Sequence, residues 1–157
     1  MLNARPDADL SRMQHSAADV DRIIAVHFPE IHSGGQTMFT EAVGPGTARM
    51  RLKADVRHLR PGGTISGPTL FTLADVTLYA MIIGELGEGA LQAVTTTMTI
   101  NFLSRPDPGD VIAECQLLKR GRRLIVADVR MARDGQPGLI AQATATYALP
   151  PDGLRAR

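Results

Sequence analysis

The clearest periodicity in the chain lies between Ala48 and Val56, where Ala48, Met50, Leu52, Ala54 and Val56 alternate with Arg49, Arg51, Lys53 and Asp55. Strict period-two alternation predicts a strand with one buried face. Met38–Val43 is its expected hairpin partner, joined through Gly44-Pro45-Gly46. Upstream, Val20, Ile23, Ile24 and Phe28 recur at helical spacing behind Ser16, a suitable N-cap, and Pro29 ends that segment.

A different pattern holds from Pro68 to about Leu86. Leu70, Phe71, Leu73, Ala74, Val76, Leu78, Ala80, Met81, Ile82 and Ile83 leave no polar side, so this helix has to be surrounded by protein. Pro68 suits a first turn, and Gly84 and Gly87 are expected to close the helix. With Asp75 and Glu85 inside it, the stretch falls short of the about 20 apolar residues that span a bilayer.

The remainder predicts strands at Val94–Leu103, Val111–Leu118, Leu124–Arg133 and Leu139–Leu149. Turns fall at Arg105–Asp110, at Lys119-Arg120-Gly121-Arg122 and at Asp134-Gly135. In the first of these strands Val94, Thr96, Met98, Ile100 and Phe102 share one face, and Thr95, Thr97, Thr99 and Asn101 the other. In the last, Ala141, Ala143, Ala145 and Tyr147 share a face, on which the three alanines are small enough to let strand and helix approach closely. Helix, two strands, a long buried helix and four strands show no β-α-β alternation. The expected class is therefore α+β, a largely antiparallel sheet wrapped around one central helix. Residues 34–149 form that domain, residues 1–33 an extension with a short helix and a frayed start, and residues 150–157 a tail.

Composition narrows the function classes. At 157 residues the chain is one domain. A net charge of +1 and an aromatic fraction of 4% without Trp supply neither the basic field nor the stacking platform of a nucleic-acid binder. The single Cys115 excludes an internal disulfide and a multi-cysteine metal site, and reads as a small core residue. His15, His27, His32 and His58 show no metal-ligand spacing and read as surface or loop residues, so no metal is expected. The N-terminal segment lacks a signal-peptide core, and the expected location is the cytoplasm, with no membrane partner.

Two places carry candidate chemistry. Asp75 is the only charged side chain between Arg60 and Glu85 and sits within an apolar helix. An unpaired carboxylate in such a setting costs stability or takes a raised pKa. Asp75 therefore either projects into an interface and caps backbone amides there, or is a general base or nucleophile tuned by its apolar setting. Ser66-Gly67-Pro68 opens the same helix. The Gly67 N–H, unobstructed by a side chain, can face a developing oxyanion, while Ser66 is by itself an ordinary N-cap. Eight residues of helix put Gly67 about 12 Å from Asp75. One carbonyl group cannot touch both, so joint action requires Asp75 from a neighbouring copy. Lys119, Arg120, Arg122 and Arg123 form a basic turn suited either to phosphate or simply to solvent.

Gly63-Thr64-Ile65-Ser66-Gly67-Pro68 followed by Leu73-Ala74-Asp75 resembles the hotdog-fold acyl-CoA thioesterases of the phenylacetate-pathway (PaaI-like) type. The likeness continues in order through Thr99-Ile100-Asn101-Phe102-Leu103, Pro108-Gly109-Asp110 and Lys119-Arg120-Gly121-Arg122. It implies a homodimer, or a dimer of dimers, with a small-molecule CoA thioester bound at the subunit boundary. No separate cofactor is implied, because coenzyme A belongs to the substrate. It further implies Asp75 as the catalytic carboxylate, Gly67 as the oxyanion glycine, and Thr95 as the hydroxyl that positions water. Arg122 and Arg123 would lie near the CoA phosphates. Ser66 and Pro68 stand where that family has His and Gly, and Arg60 about where it has a substrate-holding Asn. Ser66 carries no positive charge and Arg60 accepts no proton. The resemblance leaves three functions: hydrolysis of an acyl- or aryl-CoA, acyl-CoA binding without turnover, and a hydratase or dehydratase reaction in which His58 would have to stand beside Asp75.

Overall fold

Ser16 starts the first helix by accepting the Asp19 N–H, and Asp19 returns the bond to the Ser16 N–H. The helix, α1 (Ala17–His27), buries Val20, Ile23 and Ile24. Phe28, expected to continue that apolar stripe, instead caps the helix and is 43% exposed. Then follow β1 (Met38–Gly44), β2 (Thr47–Leu52), α2 (Gly67–Leu86), β3 (Val94–Phe102), β4 (Val111–Arg120), β5 (Leu124–Arg133) and β6 (Ala141–Ala148), with short 3-10 turns between. This computed structural model describes residues 15–151. The frayed start and most of the tail expected from sequence lie outside the described residues.

The six strands form one antiparallel sheet in the order β1-β2-β4-β5-β6-β3, and α2 packs across its inner face. Leu73, Ala74, Leu78, Ala80, Ile82 and Ile83 of α2 are fully enclosed, facing Ala141, Ala143 and Ala145 of β6 and Met50 and Leu52 of β2 in one core. Gly84 does not end α2. It lies inside the helix, where an added Cβ would come within 3.3 Å of Val43, so its size sets the approach of α2 to β1. Gly67–Ala90 is in fact long and apolar enough to cross a membrane, contrary to the reading from sequence. Here 72% of that apolar window is buried inside the sheet.

The alternation that marks β2 overruns the strand. Asp55 turns the chain by accepting the Arg57 N–H, Val56–His58 becomes a 3-10 turn, and Val56 is 84% exposed. Likewise the basic stretch expected as a turn begins inside β4. A bulge at Leu118 shifts the register, leaving Leu118 exposed and Lys119 and Arg120 in the ladder. Leu139, expected to open the last strand, is an exposed turn residue.

The two edges of the sheet differ. The β1 edge is closed by α1, whose Asp21 carboxylate accepts the Thr40 N–H at 2.9 and 3.2 Å. Among the described residues β3 pairs only with β6, and Val94 and Phe102 on it are 58% and 55% exposed. An unprotected edge strand is a template for pairing with another chain.

Two polar side chains away from the sheet edges are largely enclosed. Glu85, near the end of α2, has a side chain only 9% exposed. It accepts the Gly46 N–H at 2.8 Å and an Arg120 guanidinium N–H at 2.7 Å, tying the β1–β2 turn and β4 to the helix. Gly46 has φ +66°, the left-handed conformation this tight turn requires.

His58, expected at the surface, is 8% exposed. Its Nδ1 accepts the Asp55 N–H at 2.9 Å, which requires the neutral ring, and burial holds its pKa below the ordinary 6.5 against the pull of Asp55. The unfolded chain therefore takes up a proton that the folded chain refuses, so stability is full above pH 6.5 and declines below it. Urea midpoints of wild type are expected to fall across that window. His58→Asn, which keeps an acceptor for the Asp55 N–H but has no proton to gain, is expected to lose this component of the decline.

Candidate active site

Asp75 lies in the third turn of α2, half-buried, on the side facing β3 and β6. The Thr95 hydroxyl donates to its Oδ1 at 2.6 Å and the Tyr147 hydroxyl to the same oxygen at 2.7 Å. The carboxylate is thus held by hydroxyl donors rather than by backbone amides. Among the described residues Oδ2 has no hydrogen-bond partner.

Thr95 reaches Asp75 because β3 contains a bulge. Thr95 pairs with Tyr147 and Thr97 with Thr146, so Thr96 is the extra residue. The bulge reverses the face parity expected from simple alternation. Thr95 joins Met98 and Ile100 on the helix side instead of Thr97, Thr99 and Asn101 on the outer side.

Tyr147 continues the Ala141, Ala143, Ala145 face of β6, and its ring stacks on Tyr79 with centroids 6.2 Å apart. Burial first, and then the neighbouring Asp75 charge, raises the Tyr147 pKa far above the usual phenol value, so it stays protonated and donates. Tyr79 is anchored in turn by its hydroxyl on the Leu91 carbonyl at 2.9 Å. The alternation of β6 places Tyr147 on the inner face but carries no signal of its role, since the partner of its hydroxyl is set by packing alone.

Asp75, Thr95, Tyr79 and Tyr147 line a cavity of about 540 Å³ together with His27, Phe28, Leu91, Ala93 and Val94. His27 and Phe28 come from the end of α1, a contribution that the helical stripe of the N-terminal segment concealed. His27 sits 3.7 Å from Glu88 across the cavity rim. A second depression of about 500 Å³ on the outer face is lined by Arg49, Glu114, Asp128 and Arg130, whose charges are already paired.

The other sequence-predicted residues are not at Asp75. Ser66 caps α2, sharing its hydroxyl with Thr69 Oγ1 at 2.8 Å and accepting the Thr69 N–H at 3.3 Å. Gly67 is the first residue of α2, and its N–H has no acceptor among the described residues. Pro68 is exposed on the first turn, and Arg60 is exposed in the preceding loop, whose backbone is closed by Arg60 N–H on the Thr64 carbonyl at 2.9 Å. These four gather at the start of α2, about 12 Å along the helix from Asp75.

β3 runs the opposite way to α2. Thr95 meets Asp75, whereas the Phe102 ring packs at Gly67, within 3.3 Å of where a Cβ would stand. Arg122 and Arg123 are exposed in the β4–β5 turn. The row Val94, Ala148, Leu124 lies beside that turn, so the two arginines sit at the Asp75 end, two strands and about 10 Å from β3. Arg120 does not join them, being held by Glu85. His58 lies with Asp55 and Thr37, and the imidazole that lines the Asp75 cavity is His27.

An antiparallel sheet wrapped around a single long helix, with a carboxylate on that helix opposite an open sheet edge, defines a hotdog-fold protein of α+β class. Residues 62–140 match the thioesterase superfamily, and the chain belongs to it. It is similar to a candidate thioesterase of Silicibacter sp. TM1040, with a TM-score of 0.81 and 36% identity covering 89% of this chain and 95% of that one. It is similar also to a candidate esterase of Pseudomonas aeruginosa, 34% identical over 101 residues, 63% of this chain and 72% of that protein. The PaaI protein of the Escherichia coli phenylacetic acid degradation operon has the same fold, with a TM-score of 0.70 at 18% identity over 85% of this chain and 95% of that one.

Proposed function

We propose that the protein is a thioester hydrolase acting on acyl- or aryl-CoA, and that its site is completed by a second copy of the chain. The observation that carries this is the Asp75 carboxylate, which lines a cavity at the open β3 edge and is held by one oxygen on Thr95 and Tyr147, the other having no hydrogen-bond partner among the described residues. Because β3 runs against α2, antiparallel pairing of two β3 edges brings the Gly67 end of one copy beside the Asp75 end of the other. That arrangement supplies the second element that a single chain keeps about 12 Å away. Superfamily membership supports the reaction class, and a cytoplasmic homodimer or dimer of dimers is the form proposed.

In the general-base route, Asp75 Oδ2 takes a proton from water as the water oxygen bonds to the thioester carbonyl carbon. The Gly67 N–H of the second copy stabilises the resulting oxyanion. Collapse breaks the C–S bond, and the proton held by Asp75 passes to the CoA sulfur. In the nucleophilic route the carboxylate oxygen itself bonds to that carbon, the C–S bond breaks, and CoA leaves as a thiolate that takes a proton from solvent. Water then hydrolyses the anhydride to the free acid and the Asp75 carboxylate. Thr95, whose proton is given to Asp75, keeps lone pairs to accept from the attacking water. Arg122 and Arg123, exposed at the same end, are suited to the phosphates of coenzyme A, and Arg60, Ser66 and Pro68 to the substrate at the Gly67 end.

The test is thiol release from a panel of CoA thioesters. Release of free CoA with at least one acyl group supports the proposal. Saturable binding without release would instead make the chain an acyl-CoA binder, a reading favoured by Ser66, whose hydroxyl is spent on the helix cap. The hydratase alternative loses its stated support, since His58 is not beside Asp75.

A further inference from the structure

We propose that Tyr147 is a positioning residue for Asp75: with Thr95 it pins Oδ1, so that Oδ2 is the oxygen that meets water or the thioester carbonyl. The inference rests on the catalytic reading of Asp75. A carboxylate at the end of a short side chain has a soft, nearly two-fold terminal torsion, so its two oxygens exchange roles unless something tells them apart. Here both donors fall on one oxygen, at 2.6 and 2.7 Å. A second, longer approach of the Tyr147 hydroxyl, 3.3 Å from the Asp75 carbonyl oxygen, registers it against the helix backbone as well.

The two donors are not equivalent. Thr95 sits on the exposed edge strand beside a bulge. Tyr147 is 4% exposed, lies in a strand paired on both sides, and has its ring held against Tyr79. Tyr147 is therefore the more firmly seated of the two donors. Besides the two hydroxyl donors, the titratable groups facing this cavity are His27 of α1 and Tyr79 of α2, and neither makes a hydrogen bond to Asp75 among the described residues.

Tyr147→Phe removes one oxygen and leaves the ring. It is expected to lower kcat for a CoA thioester by about tenfold to a hundredfold, the effect of losing a hydrogen bond to a charged group. KM should change little. Replacing Tyr147 with 4-methylphenylalanine, which fills the space of the hydroxyl without donating, is expected to lower kcat likewise at unchanged KM. This second replacement decides the matter if Tyr147→Phe fails to fold. Wild-type kcat in a folded variant lacking the donor, with Asp75→Asn inactive, overturns the role of Tyr147 and leaves Asp75 in place. Full activity in Asp75→Asn overturns both.

Discussion

Asp75→Asn is expected to lower kcat/KM for a CoA thioester by about a hundredfold to ten-thousandfold, the range that a positioned general base supplies. The amide cannot take a proton from water or attack as an anion, yet its oxygen can still accept the Thr95 and Tyr147 hydroxyls that hold the native carboxylate. Folding should therefore survive, with a thermal midpoint within about 4 °C of wild type, as a change near 1 kcal/mol gives at this chain length. Thiol release and thermal unfolding measured on the same preparations separate the two effects. A rate equal to wild type would remove Asp75 from the mechanism.

The largest loss of stability is expected from Arg120→Met. Glu85 is nearly enclosed, with a side chain 9% exposed against 22% for Arg120, and the pair meets at 2.7 Å. Removing one member of a fully buried ion pair leaves the other uncompensated, at a cost of about 3–5 kcal/mol, and the partial exposure of this pair screens some of that. The Gly46 N–H, which also donates to Glu85, offsets part of that, so the lower end of the range is expected. Urea unfolding should show it, with KM for a CoA thioester little altered. Adding Glu85→Gln should recover part of the loss, because the stranded charge is then gone. A raised KM with unchanged stability would instead place Arg120 with Arg122 and Arg123 in binding.

Local rules carry the element order. The alternation of β2, the all-round apolar surface of α2 and the glycine turns each depend on neighbours in sequence, and each predicts an element at or near its place. They fail where one side chain changes the local geometry. Asp55 ends β2 early by capping a turn, and the bulge at Thr96 moves Thr95 to the opposite face from the one that alternation assigns. The candidate site divides in the same way. Asp75 is conspicuous because a charge interrupts an apolar helix, and Gly67 because it opens that helix. Tyr147 and Glu85 are engaged over 72 and 35 residues of separation, contacts for which sequence spacing gives no signal. His58 reads as a loop residue from its polar surroundings, and only the closing of the Asp55–His58 turn buries it.

The central claim is that each site draws Asp75 from one copy and Gly67 from another, and mixing two inactive proteins tests it. Asp75→Asn and Gly67→Val, the second crowding the amide where a Cβ already meets Phe102, should each be nearly inactive alone. A mixed dimer would hold one site bearing both lesions and one bearing neither. Co-refolding equal amounts should then restore about a quarter of wild-type activity, the share of intact sites under random pairing in a two-fold dimer. A mixture no more active than its two components, once mixed dimers are shown to have formed, would contradict the shared site.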